Sequence, residues 1–86
     1  MQYSDIYVNR IRALCKQRGI KSINKLAEMG DIKQSTLDNL MQGRTQNPGV
    51  QTIHKLALAF SMTPAEFLDF EELNMYSFET ESDPEE

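Results

Sequence analysis

The feature that most constrains the fold is a pair of short helical patterns, separated by a tight break, in the first half of the chain. The first pattern opens at Ser22, whose hydroxyl can cap a helix, and its apolar residues recur at three- and four-residue steps. Gly30 and Asp31 interrupt it, and a second pattern runs from about residue 34 to residue 42. The sequence therefore predicts two short helices joined by a tight turn.

Longer helical patterns flank this pair. Apolar residues at helical spacing predict a first helix over about 5–18, with Ser4 as its N-cap and Gly19 as its stop. The loop at 43–49 has glycine at both ends, and a wide apolar face after it predicts a fourth helix over about 50–60.

The clearest local signal is the run Thr-Pro-Ala-Glu at residues 63–66. Thr63 can cap a helix, Pro64 suits the first helical position, and Glu66 can complete a capping box. We therefore expect a fifth helix over about 64–73. The whole pattern predicts an all-α protein of five helices, and its 86 residues are enough for one hydrophobic core but too few for two.

The charges are divided unevenly along the chain, although the net charge is -4. Residues 1–60 carry all nine Lys and Arg residues against four carboxylates, whereas residues 61–86 carry nine carboxylates and no Lys or Arg. A basic body with an acidic tail suggests a polyanion as partner of the first part. The acidic tail either keeps the protein soluble or covers the basic face and weakens nonspecific binding.

Several classes of protein are disfavoured. No apolar run approaches the roughly 20 residues of a membrane span, and the N-terminus lacks a secretory signal, so we expect a cytoplasmic protein. Cys15 has no second cysteine to pair with, and together with His54 it makes no metal site, so we expect no metal and no cofactor. We interpret Cys15 as a small buried residue and His54 as a residue on the polar face of the fourth helix.

Eleven residues in the middle of the chain stand in an informative order, namely Leu26, Ala27, Ile32, Ser35, Thr36, Leu37, Leu40, Gly43, Pro48, Leu56 and Ala57. This order resembles the Cro/CI-like (XRE) family of helix-turn-helix transcriptional regulators. Where that family usually has glycine at the turn, this chain has Asp31, which tolerates a left-handed backbone better than most residues. The resemblance covers about residues 6–70, and it implies a five-helix, lambda-repressor-like DNA-binding domain over 1–74. Residues 75–86 are acidic and mostly too polar to pack, so we expect a disordered tail there.

The resemblance implies that the helix starting near Lys33 reads base edges in the major groove of double-stranded DNA. Gln34 and Asn39 can each donate and accept together, which matches the pattern that adenine presents. Asp38 lies on the same face, where a carboxylate repels phosphates unless it accepts from cytosine or pairs with a neighbouring cation. The expected base-reading residues are Lys33, Gln34, Ser35 and Asn39.

Contacts to DNA phosphates are expected at the start of the second helix, in the recognition helix and in the loop that follows it. Helix N-termini and basic or hydroxylated loops commonly hold phosphates, and in the resembling family the same loop grips the backbone. The expected phosphate-binding residues are Lys21, Ser22, Lys25, Thr36, Gln42, Arg44 and Thr45.

A homodimer is the expected assembly, because a two-fold dimer reads two half-sites about one DNA turn apart. Apolar residues that lie off the main core face could form its contact, namely Leu58, Met62, Phe70, Tyr76 and Phe78.

We do not expect an enzyme, since only His54 could act as a base at neutral pH and no nucleophile turn or phosphate cradle is present. The alternative is a helix-turn-helix module that binds a protein, as an antitoxin or a regulator-binding protein does.

Overall fold

A computed structural model of the chain describes residues 2–45 and 47–80, and within them it is helical with no strand, which confirms the all-α prediction. The core draws on the first five helices and on Phe70, and it contains one pair of stacked rings, Phe60 and Phe67, with centroids 6.3 Å apart. The elements are α1 (Tyr3–Arg18), α2 (Ile23–Gly30), α3 (Gln34–Met41), α4 (Val50–Ala59), α5 (Pro64–Leu68), α6 (Glu71–Asn74) and a 3-10 turn (Phe78–Thr80).

The first helix starts two residues earlier than predicted, and Ser4 is not its N-cap. Gln2 occupies that position, and its backbone N–H donates to the Asp5 carboxylate at 2.8 Å in a capping box. Ser4 lies inside the helix and is buried. The predicted stop is confirmed, because Gly19 adopts a left-handed φ of 71° and the Ile20 N–H returns to the Cys15 carbonyl.

The cap predicted at Thr63 is also present. The Thr63 hydroxyl accepts from the Glu66 N–H at 3.1 Å, and the Glu66 carboxylate accepts from the Thr63 N–H at 2.8 Å. Hydrogen bonds from the Thr63 backbone and side chain lower the pKa of Glu66. Both partners of the capping box therefore favour a helix that starts at Pro64.

The prediction that residues 64–73 form a single helix is wrong, because α5 ends at Leu68 and a separate helix, α6, starts at Glu71. Phe70, between them, is extended and buried, and its ring lies 5.1 Å from the guanidinium of Arg10. The Arg10 side chain donates to the carbonyls of Phe67, at 3.2 Å, and Glu66, at 3.1 Å. A continuous helix would pair these carbonyls with N–H groups four residues on. At the end of α5 the Glu66 carbonyl accepts from the Asp69 N–H at 3.2 Å, and Arg10 adds a charged donor to both carbonyls, which stabilises the helix end.

An aromatic cluster joins the end of the described chain to the start of α1. The ring of Tyr3 lies 5.1 Å from those of Tyr76 and Phe78, and its hydroxyl hydrogen-bonds that of Tyr7. Burial, followed by the contact with Tyr3, raises the pKa of Tyr7. Tyr76 and Phe78 of the expected tail therefore contact α1. Residues 81–86 lie outside the described residues, and the domain boundary at residue 74 stays a prediction.

No helix among the described residues is long and apolar enough to span a membrane.

The five apolar residues that were predicted to lie off the core face and to form a dimer contact differ in burial. Phe70 is buried, Met62 and Tyr76 are half-buried, and Leu58 and Phe78 are exposed.

Gly30 allows α2 to approach α4 closely. A Cβ atom built on Gly30 would lie 3.0 Å from the backbone oxygen of Lys55 and 3.0 Å from the Cδ1 of Ile32. A backbone oxygen in α4 cannot move aside without shifting the helix, so this position has no room for a side chain.

Replacement of Arg10 by Met should lower the free energy of unfolding by about 2 kcal/mol, because the carbonyls of Phe67 and Glu66 lose a charged donor, the first of them in a partly buried bond, and Phe70 loses its cation. Urea denaturation followed by circular dichroism measures the change. The exposed residue Arg12 on the same helix gives the matched control, and Arg12→Met should change the free energy by less than about 0.5 kcal/mol. Equal effects of the two substitutions would contradict the role of Arg10.

Gly30→Ala should lower the free energy of unfolding by about 1–3 kcal/mol through overpacking between α2 and α4, despite the higher helix propensity of Ala. Thermal or urea unfolding measures it. Gly49 is the control, since a Cβ there meets no atom within 4 Å and its φ of -70° suits Ala. The effect of Gly49→Ala should stay under about 1 kcal/mol, because a weaker cap offsets a less flexible unfolded chain.

Candidate nucleic-acid interface

The turn between α2 and α3 is fixed by a left-handed residue and a buried apolar plug. Asp31 has φ 52° and ψ 46°, which confirms that it takes the left-handed conformation expected of it. The next residue, Ile32, is buried and donates its N–H to the Ala27 carbonyl at 2.9 Å. The direction in which α3 leaves α2 is therefore set by backbone hydrogen bonding and by burial together.

A side-chain hydrogen bond that was not predicted from the sequence also stabilises the turn. The Nζ of Lys55, on α4, donates to the Asp31 carbonyl at 3.0 Å. A left-handed residue at a helix end leaves its carbonyl without a helical partner, and Lys55 supplies one. No local sequence pattern shows that pairing, because the two residues are 24 positions apart.

Between the turn and α4 lies an open polar cleft of about 430 Å³. Two of the predicted DNA contacts, Lys33 and Thr36, lie one helical turn apart and line it from the α3 side. Gln51, Thr52 and Lys55 line it from the α4 side, and none of these three was predicted. Their spacing of three and four residues places them on one helix face, a signal that the sequence does contain.

The outer face of α3 is polar and open to solvent. Leu37 and Leu40 are buried on its inner face. The predicted contacts Lys33, Gln34, Ser35 and Thr36 are all exposed around its N-terminal turn. The first helical turn therefore presents four polar side chains next to one another, with no apolar residue among them.

Asp38 pairs with no cation among the described residues, but its carboxylate has a hydrogen-bond partner. Its carboxylate accepts a hydrogen bond from the amide nitrogen of Gln34 at 2.9 Å, one turn back along α3. This bond restricts the rotation of the Gln34 side chain. An amide nitrogen carries two N–H groups, so one donor and the amide oxygen of Gln34 remain available to a ligand.

Asn39 ties α3 to the loop that follows it. Its backbone carbonyl accepts from the N–H groups of Arg44, at 2.8 Å, and Thr45, at 3.3 Å. Its side-chain oxygen accepts from the guanidinium of Arg44 at 3.4 Å. A predicted base-reading residue is thus brought together with two predicted phosphate-binding residues, and Asn39 is half-buried where Gln34 is exposed.

The loop begins at Gln42, which is exposed and caps the C-terminal end of α3. Gly43 follows with a positive φ of 77°, a conformation that glycine adopts without strain. Beyond it the Arg44 side chain points to solvent, and Thr45 is half-buried.

The start of α2 has the predicted cap. The Ser22 hydroxyl accepts from the Lys25 N–H at 3.1 Å, and the side chains of Lys21 and Lys25 are exposed on either side. The first turn of a helix has backbone N–H groups without a helical partner, and here two exposed cations lie beside it, which is an arrangement that suits an anion. Ile23, the first residue of the helix, is half-buried.

The described residues contain no group of three His, Cys, Asp or Glu side chains that could hold a metal ion. Cys15 is buried and burial raises the pKa of its thiol, which disfavours the reactive thiolate, as expected for a packing residue. His54 is exposed on α4, on the polar face where it was predicted.

Comparison with known proteins identifies the family. The model of the Cro/C1-type helix-turn-helix DNA-binding domain matches residues 10–72, which are most of the chain. The match includes the C-terminal part of α1, all of α2, α3, α4 and α5, and the start of α6. No curated protein and no solved structure matches the chain. The match spans the locked turn, the polar face of α3 and the capped start of α2, and the chain therefore belongs to the Cro/C1-type helix-turn-helix DNA-binding family.

Proposed function

We propose that the protein is a repressor that binds specific sequences of double-stranded DNA with the N-terminal part of α3 in the major groove. The observation that carries this proposal is the exposed polar first turn of α3, in a chain that belongs to a DNA-binding family. The buried inner faces of α2 and α3 hold this turn in place. Bases are read by Lys33, Gln34, Ser35 and Asn39. Repression follows from occupying a site that the transcription machinery needs, and it requires no further contact.

The size of α3 supports this mode of docking. Eight residues span about 12 Å, and the major groove is about 12 Å wide, so α3 is short enough to fit within the groove. Gln34 enters with its amide restrained by Asp38, which lowers the entropy lost on binding. Its free N–H and oxygen can then bind N7 and the N6 amino group of one adenine.

Phosphate contacts on the two sides of α3 position it. Lys21, Ser22 and Lys25 hold one phosphate at the start of α2. Arg44 and Thr45, anchored to Asn39, hold another beyond the end of α3. Thr36 and Gln42 add contacts from the recognition helix itself. Such contacts set register and orientation, and they carry no sequence information.

A homodimer is part of the proposal. Leu58 is 64% exposed and Val50 is 85% exposed on α4, so apolar surface remains for a second copy. Two copies related by a two-fold axis would bind half-sites about one DNA turn apart. The target is therefore a palindrome.

A second candidate is a protein-interaction module, and the C-terminal end of the described chain favours it. Met75 is 76% exposed and Phe78 is 63% exposed, and the neighbouring Glu71, Glu72 and Glu79 are also exposed. Apolar side chains among carboxylates would suit a basic partner protein.

The decisive experiment is selection of binding sites from random duplex DNA at about 0.15 M salt, where the counterion-driven background is low. We expect enrichment of a palindrome. Enrichment of no sequence by the folded protein would contradict the proposal and favour the interaction module.

Gln34→Ala should cost about 1–3 kcal/mol of DNA binding free energy at one base position per half-site and relax the preference there. Lys21→Ala should instead weaken binding to all sequences alike and reduce the slope of log affinity against log salt by about 0.9. Fluorescence anisotropy on the selected site and on single-base variants measures both. A uniform loss from Gln34→Ala would show that it does not read a base.

Asn39→Ala and Arg44→Ala should be non-additive, because the two side chains share a hydrogen bond and each truncation removes it. We expect a coupling of about 0.5–2 kcal/mol in a double-mutant cycle of DNA affinity. Gln34 paired with Arg44 gives the matched control cycle, since no contact joins them, and its coupling should be near zero. Additive losses for Asn39 and Arg44 would mean that they contact DNA independently.

A further inference from the structure

An open hollow of about 380 Å³ lies where the C-terminal half of α1 meets the start of α2 and the end of α3. Its volume falls within the range of about 300–1,000 Å³ that is usual for small-molecule sites. Its floor is apolar and is formed by Cys15, Ile20, Ile23 and Met41. Cys15 is buried and the other three are half-buried, so the floor is accessible but already ordered by packing against the core.

The rim of the hollow is cationic. Arg12, Lys16 and Lys21 line it together with Ser22, and no carboxylate does. All three cationic side chains are exposed, and within the described part of the chain none has a hydrogen bond or an ion pair. Three like charges around an apolar floor repel one another, and an anion placed between them relieves that repulsion.

We infer that the hollow binds an amphipathic carboxylate, with its hydrocarbon part on the apolar floor and its carboxylate among the three cations. Charge complementarity decides between this occupant and others. A second copy of the chain, related by a two-fold axis, would bring cationic rims together. A DNA phosphate could bind Lys21 and Ser22 from the groove side but would leave the apolar floor uncovered.

The site would regulate DNA binding, and this step rests on the proposed function. Lys21 and Ser22 belong both to the rim of the hollow and to the phosphate contact at the start of α2. A carboxylate bound there neutralises Lys21 and places a negative charge next to the incoming phosphate. The ligand and DNA should therefore weaken each other, by the same factor, as linkage requires.

Decanoate below its micelle concentration is the test ligand, and decan-1-ol, with the same chain and no charge, is its matched control. Titration is followed by NMR, through the backbone amides of Ser22 and Ile23 and the methyl group of Met41. We expect saturable shifts at these three groups with decanoate, and binding at least about threefold weaker with decan-1-ol. Absence of shifts at these groups, or equal affinity for the two ligands, would overturn the inference.

Lys16→Gln tests the rim without touching a proposed DNA contact. It should weaken decanoate binding about threefold to fivefold and leave DNA affinity in the absence of decanoate within about twofold. Arg18→Gln is the control, because Arg18 is an exposed cation of the same helix that does not line the hollow. An equal loss of decanoate affinity in both variants would indicate a general charge effect and overturn the site.

The regulatory step is measured by anisotropy on the selected DNA site with and without saturating decanoate. We expect DNA affinity to fall about fivefold or more, and less in Lys16→Gln at the same decanoate concentration. Unchanged DNA affinity with the site saturated would overturn the regulatory step. If decanoate causes the expected NMR shifts but the protein binds no DNA, the proposed function is refuted and the carboxylate site still stands. Failure of the carboxylate site and failure of the proposed function can therefore be distinguished.

Discussion

The left-handed turn at Asp31 is the constraint on which the rest of the structure depends. It points Ile32 into the core and starts α3 in a fixed direction, and the polar face of α3 is useful only in that direction. Three contacts maintain the turn. The Ala27 carbonyl accepts from the Ile32 N–H, the Lys55 side chain donates to the Asp31 carbonyl, and Gly30, without a side chain, lets α2 approach α4 closely. Neither α2 nor α3 is long enough to be stable in isolation, so their relative orientation comes from these contacts and from the buried core.

Local signals predicted what local forces control. Gly19, Ser22, Asp31 and Thr63 each end or begin a helix as expected, because a left-handed backbone or a side-chain cap is satisfied within a few residues. Ser4 was the exception. Serine caps helices well, but burial placed it inside α1, and Gln2 and Asp5 formed the cap instead.

Long-range contacts were beyond such signals. A helix over 64–73 has no break signal in its own sequence, whereas in the structure Arg10 donates to the carbonyls at the break and Phe70 is buried beside it. The cleft between Lys33 and Lys55 was missed as well: the spacing of its α4 residues is visible in the sequence, but their position across the turn from Lys33 is not. In the recognition helix the sequence supplied the exposed polar residues, but not the bonds from Gln34 to Asp38 or from Asn39 to Arg44.

The contact between Arg10 and the end of α5 has a consequence for synthesis of the protein on the ribosome. Its acceptors lie 56 and 57 residues further along the chain, so α1 through α4 are already made before Arg10 can meet them. Synthesis proceeds from the N-terminus at about 5–20 residues per second, and until residue 67 emerges the nascent chain leaves the faces of Phe60 and Arg10 uncovered. The last part of the core to emerge therefore closes the fold, and a chain stalled before α5 would present an incomplete core to chaperones and proteases.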